Sequence, residues 1–225
     1  MKNIGMIVAV EIEAALNEFG IPIEELKFIG YSVYQYKLGE HNLFVIDSGA
    51  GEIAAAMTTQ FLITKFNVDL IVNFGVVGGL TDEMKLAKTC IVESVVHYDF
   101  DTSEADGCEV GRYINYPSLY INATKEIVSK AIEIEPTLKK VICASGDKFI
   151  AKKDKKEELH NLYNADICEM EAAGIILTCN KNNIPCLLIK TVSDSLTGGV
   201  NEFKKSTNEL ARICIEITNK ILNNI

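Results

Sequence analysis

The chain has 225 residues, 48% of them hydrophobic and 24% charged, proportions that exclude a disordered or collagen-like polypeptide. Its 22 basic and 31 acidic residues leave a net charge of −9, which disfavours nucleic acid and anionic membrane as partners. Arginine occurs only at Arg112 and Arg212, so a phosphate site built on guanidinium forks has little material.

Residues 4–10 (IGMIVAV) form a short, continuously apolar run, as in a buried strand, and 11–19 can open a helix. The run ends at Glu11, too short for a signal peptide or a membrane span, so a cytoplasmic protein is expected. Residues 28–37 and 42–47 are rich in β-branched and aromatic side chains, and the Gly-Glu-His between them reads as a hairpin turn. A helix is predicted over 52–66, and a buried strand over 69–75, followed by the glycine-rich Val76-Val77-Gly78-Gly79. Then come a strand at 88–100, a polar loop at 101–117, a helix at 121–134, a strand at 139–146 and a charged helix at 154–163. A short strand at 165–170, a helix at 171–182, a strand at 185–194 and a closing helix at 201–223 complete the chain.

Strands alternating with helices, with no linker, repeat or composition shift, predict one α/β domain over 1–225. Its core would be a mixed, mostly parallel, twisted sheet flanked by helices. The seven cysteines are odd in number and include no CxxC pair. They read as small buried hydrophobes rather than as disulfides or zinc ligands.

In such sheets ligands bind at the carboxyl ends of the strands. There the sequence places Glu11 and Glu13, the run Asp47-Ser48-Gly49-Ala50-Gly51, the glycines 75–79, Glu169-Met170-Glu171 and Ser193-Asp194. Each has a structural alternative. Glu13 and Glu171 suit the first turn of a helix, Asp194 suits a turn, and Gly78-Gly79 can be a turn alone. Together they bring several carboxylates to one sheet edge, and separated carboxylates can act as acid and base when their environments differ. His97, beside Tyr98 and Asp99, reads as a hydrogen-bonded histidine at a strand end. Three dispersed histidines offer no metal site. No GxSxG elbow, Walker loop or GxGxxG occurs, so neither metal nor cofactor is expected.

The blocks IGMIVAVEIEA (4–14), SGAGEIAAA (48–56), DLIVNFGVVGGL (69–80), HYDFD (97–101), SGDKFI (145–150), EMEAAGI (169–175) and KTVSD (190–194), in this order, resemble the 5′-methylthioadenosine/S-adenosylhomocysteine nucleosidase family of the nucleoside phosphorylase superfamily. The resemblance implies hydrolysis of the N-glycosidic bond between adenine and a 5′-thioribose. It casts Asp194 as the acid that protonates adenine N7, with Ser193 orienting it, and Glu13 as the base that activates water. Glu171 would bind ribose hydroxyls beside Glu169, and Met170 would pack on the sugar. Phe149 would stack on the base, whose edge the backbone of Ile150 would read. Loss of adenine builds oxocarbenium-like charge on the ribose, which suits a carboxylate-rich site. A homodimer is also implied, with Tyr113 and its loop contributing across the interface.

The chain departs from the family pattern at Val76, where a small hydroxyl residue is common near Gly78, and at Lys190, where arginine is usual. Val10, Ala50 and Val200 replace larger side chains around the 5′ group and imply a roomier pocket. Two alternatives stay open. A purine nucleoside phosphorylase would need arginines that the first strand and the glycine-rich turn lack. A non-catalytic nucleoside-binding protein would fit the missing hydroxyl at Val76.

Overall fold

The computed structural model describes residues 2–225. The chain opens with β1 (Asn3–Val8), α1 (Ile12–Phe19), β2 (Glu24–Phe28), β3 (Tyr31–Leu38), β4 (His41–Asp47) and α2 (Glu52–Phe66). It continues through β5 (Leu70–Gly79), β6 (Thr89–His97), α3 (Ser103–Asp106), β7 (Ile121–Asn122), α4 (Lys125–Ile134) and β8 (Lys139–Ser145). It ends with α5 (Lys153–Tyr163), β9 (Ile167–Glu169), α6 (Ala172–Asn182), β10 (Cys186–Asp194) and α7 (Gly199–Leu222).

The apolar runs of β1 and β5 carry no polar alternation because both of their faces are covered. Ile7, Ile71 and Phe74 are inaccessible to solvent. Parallel pairings join β1 to β4 and β5, β10 to β5, and β8 to β6 and β9. Antiparallel pairings add β3 and β2 at one edge and link β6 to β10 and β7. The sheet is thus mixed, as expected, with helices against it. The closing helix α7 packs on β10 and β5 and buries Leu210, Cys214, Ile215, Thr218, Ile221 and Leu222. The three-to-four-residue spacing of these positions is that of one helix face.

β5 explains the shape of the site. It pairs with β1 through Leu70–Asn73 and with β10 along its other edge from Ile71 to Gly78. Its last two residues, Gly78 and Gly79, then turn to pair with Cys168 and Ile167 of β9. Together with the β10–β6, β6–β8 and β8–β9 pairings this closes β5, β9, β8, β6 and β10 into a ring. Gly78 and Gly79, for which a turn was the structural alternative, are therefore strand. A Cβ on Gly79 would lie 2.2 Å from the Met84 carbonyl oxygen, so no larger residue fits this bend.

Smaller differences are local. The predicted strand 28–37 takes in the last residue of β2, a turn at Gly30 with φ +84° and nearly all of β3, and β2 itself is a strand the sequence pattern does not mark. The polar loop 101–117 contains α3, and the start of the helix predicted at 121 is β7. Among the described residues, no helix is long and apolar enough to cross a membrane.

Candidate active site

The carboxyl ends of β1, β5, β9 and β10 surround a cavity of about 190 Å³. Most of the predicted site residues line it: Val10, Ala50, Val76, Gly78, Phe149, Ile150, Glu169, Met170, Glu171, Ser193 and Asp194. Glu13 and Val200 do not.

Asp194 ends β10, buried beneath α7 and α5, with 1% of its surface exposed. Burial raises its carboxyl above the ordinary range, while a 2.6 Å ion pair from Lys156 Nζ to Oδ2 and the neighbouring Ser193 hydroxyl oppose that rise. Ser193 Oγ lies 3.2 Å from Asp194 Oδ1 and 3.3 Å from the Val77 carbonyl oxygen, which fixes it between the two strands.

The second carboxylate lining the cavity is Glu11, where Glu13 was expected. The chain leaves β1 at Val8, bends through Ala9 and Val10, and starts α1 at Ile12. Glu11 stands at the bend and points inward, 7% exposed. Its Oε1 accepts the Val76 N–H at 2.9 Å, and its Oε2 accepts the Val10 N–H at 3.2 Å. Glu13 lies in the first turn of α1 and is exposed, the place where the macrodipole favours a carboxylate. The position Val76 supplies a backbone donor to this acid and no hydroxyl.

Glu171 leads into α6, and its Oε1 accepts the N–H of Gly51 at 2.9 Å. The φ of +106° at Gly51 aims that N–H and favours glycine. Burial, then the nearby Glu169, push the Glu171 carboxyl up to about 7. Glu169 lines the cavity but commits its oxygens to the protein. They take the Lys190 ammonium at 3.0 Å, the Ser145 hydroxyl at 2.6 Å and the amides of Glu171 and Ala172. Burial pushes Glu169 up, yet these partners, Lys190 foremost, hold it below the usual carboxylate range. Lys190, at the position where arginine was expected, is itself buried and anchors this network.

Phe149 and Met170 supply apolar wall, and Phe149 meets Phe203 of α7 edge to face, with ring centroids 5.0 Å apart. Phe203 replaces Val200 in the predicted set: Val200 is 43% exposed on the first turn of α7, and the aromatic sits three residues on. The cavity is therefore not opened by a missing aromatic. Glu11 stands among the strand-end carboxylates of the sequence without a role of its own, and Phe203, Cys168 and Lys148 are further lining residues that the sequence pattern does not mark. The i+3 step from Val200 was the available signal for Phe203. Neither arginine lines the cavity. Arg112 pairs with Glu109, and Arg212 pairs with Glu216 on α7. Among the described residues, no group of three or more potential ligands could hold a metal ion.

Comparison with known proteins matches residues 3–223 to the phosphorylase superfamily. A 5′-methylthioadenosine/S-adenosylhomocysteine nucleosidase of Tolumonas auensis is 31% identical over 199 residues, 85% of this chain and 86% of that protein. An aminodeoxyfutalosine nucleosidase of Helicobacter pylori is 29% identical over 201 residues, 87% and 86% of the two chains. Among solved structures, the Helicobacter pylori 5′-methylthioadenosine/S-adenosylhomocysteine nucleosidase with butyl-thio-DADMe-Immucillin-A superposes with a TM-score of 0.93 at 25% identity, covering 100% of this chain and 99% of the other.

Proposed function

The chain belongs to the phosphorylase superfamily and is an N-glycosidase of adenine nucleosides; from that premise we propose that it hydrolyses adenine 5′-thionucleosides such as 5′-methylthioadenosine and S-adenosylhomocysteine. The observation that carries this reading is the pair of buried carboxylates, Glu11 and Asp194, set on one cavity with no arginine beside them. Adenine leaves readily only once N7 is protonated, and a buried acid with a raised proton affinity is suited to deliver that proton. As the C1′–N9 bond breaks, its electron pair goes to the base and positive charge grows on the ribose. Glu11 faces the cavity with both oxygens anchored by backbone amides. From there it orients a water and accepts its proton during attack on C1′. Glu171 binds the ribose hydroxyls, Met170 packs on the sugar, and Phe149 with Phe203 walls the base.

Water is favoured over phosphate as nucleophile because a carboxylate at Glu11 repels an anion where phosphate would have to bind. The reaction needs no metal or cofactor, since the proton and the activated water are both supplied by side chains. We place the enzyme in the cytoplasm as a single catalytic domain that works as a homodimer. The relatives are named for different nucleosides, so the substrate is best fixed by a panel. Release of the free base (adenine, or hypoxanthine from inosine) from 5′-methylthioadenosine, S-adenosylhomocysteine, aminodeoxyfutalosine, adenosine and inosine is measured with and without phosphate. The thionucleosides are expected to turn over fully in phosphate-free buffer. Strict dependence on phosphate overturns the hydrolase, and binding without product supports the non-catalytic alternative.

A further inference from the structure

The mechanism above leaves unused one charged side chain that touches the proposed acid. Lys156 belongs to α5, whose sequence KDKKEELHNLY is otherwise that of a solvated helix, yet it is 0% exposed. It shares the buried face of that helix with Leu159 and Tyr163, three and seven residues on. Its ammonium has three hydrogens and meets three acceptors: Asp194 Oδ2 at 2.6 Å, the Asp194 carbonyl at 3.2 Å and the Ser195 carbonyl at 2.7 Å. Its donors are thus spent, and it does not line the cavity. An ammonium is buried this way only with its charge and hydrogen bonds matched. The other charged or titratable groups facing Asp194 are Glu202 of α7 and Cys168 of β9. Glu202 itself accepts the Ser195 N–H, so both flanks of the 194–195 backbone are tied down.

We propose that Lys156 is the positioning residue of Asp194: it holds Oδ2, so that Oδ1 carries the proton to the leaving base, and it stabilises the carboxylate that remains. This rests on the reading of Asp194 as the acid. In the step, the O–H bond at Oδ1 breaks and the N7–H bond forms. The C1′–N9 electron pair passes to the base, and Lys156 keeps its own proton. Asp194 is reprotonated from solvent after the base leaves. Lys156 thereby strengthens the acid while lowering the pH above which Asp194 is no longer protonated.

The test compares wild type with Lys156→Met and Lys156→Arg, reading kcat and KM against pH and the NMR titration of the ¹³C-labelled Asp194 carboxyl. That signal is identified by its loss in Asp194→Asn. For Lys156→Met, the plateau of kcat should fall about tenfold with KM little changed. The alkaline limb and the carboxyl titration should both move up by about one pH unit or more, since one unit is a tenfold change in proton binding. Lys156→Arg should restore the wild-type limb. An unmoved limb and an unmoved titration overturn the proposal, whether activity is kept or lost uniformly. If Lys156→Met does not fold, the ¹⁵Nζ signal of Lys156 in the wild type decides. It should shift in step with the Asp194 titration, and a signal blind to that titration refutes the pairing. Full activity of Asp194→Asn would instead fell the reading of Asp194 as acid, and the NMR coupling would still report on Lys156.

Discussion

Two peptide units separate Glu11 from Glu13, and the bend between β1 and α1 sends the first into the cavity and the second into water. Glu11→Gln keeps the shape but removes the base, so kcat should fall by about 10²–10⁴. Glu13→Gln should stay within about twofold of wild type in the same adenine-release assay. A loss confined to Glu13→Gln would return the base to α1. The sequence EIE offered two carboxylates at a strand-to-helix boundary, and boundaries are where residue patterns are least decisive. Asp194 is legible at the end of a long apolar strand, whereas Glu171 and Met170 follow the three-residue β9 and are marked by the EMEA block of the family resemblance. Lys156 is not legible, because a lysine set in the charged run 153–158 looks solvated until the packing of α5 is known.

At the scale of elements, α2 and α6 meet along a seam that passes through the same polar network. Ser145 Oγ has one hydrogen but lies 2.5 Å from Glu52 Oε1 and 2.6 Å from Glu169 Oε1. It also accepts the Ala173 N–H at 3.0 Å. The bonds close if Glu52 is protonated and donates to Ser145, which donates to Glu169. Burial, then the charge on Glu169, push the Glu52 carboxyl up to about 8. A proton affinity raised on folding stabilises the fold at low pH and is lost as pH rises from the ordinary carboxyl range through about 8. The melting temperature of the wild type should therefore decline between pH 6 and 9, by about 2–4 °C for each kcal/mol lost. Glu52→Gln should flatten that decline, and an equally steep fall in the variant counts against a protonated Glu52. The seam is also tight: a Cβ on Gly174 would lie 2.3 Å from the Glu52 carbonyl oxygen. Gly174→Ala should cost about 1–3 kcal/mol by overpacking, read as a lower denaturation midpoint with unchanged slope. The individual strands and helices were readable from hydrophobic runs and turn residues. This seam was not, because close approach of two helices leaves no periodic mark.

For the whole molecule, the alternation of strands and helices was enough to give the layered α/β architecture, but not the closure of β5 on both β9 and β10. Those pairings join segments about ninety to 115 residues apart, and only the register of the folded sheet reveals them. The resemblance implies a homodimer, but the sequence does not mark the face that would pair, since the apolar Ile53 and Met57 of α2 look like core. In the structure Ile53 and Met57, one turn apart, are 73% and 60% exposed. They edge a groove with Tyr31, and Ala50 lines both this groove and the catalytic cavity. A partner seated on α2 would cover these side chains and close the cavity beside Ala50, coupling assembly to substrate binding. The wild type should sediment as a dimer. Met57→Lys should weaken association by about 10–100-fold, the value of burying one such side chain at about 1.5–3 kcal/mol. It should also raise KM more than it lowers kcat, because Glu11 and Asp194 stay in place while one wall of the cavity opens. A wild type that is monomeric and fully active at every concentration would remove α2 from the interface and leave the site complete within one chain.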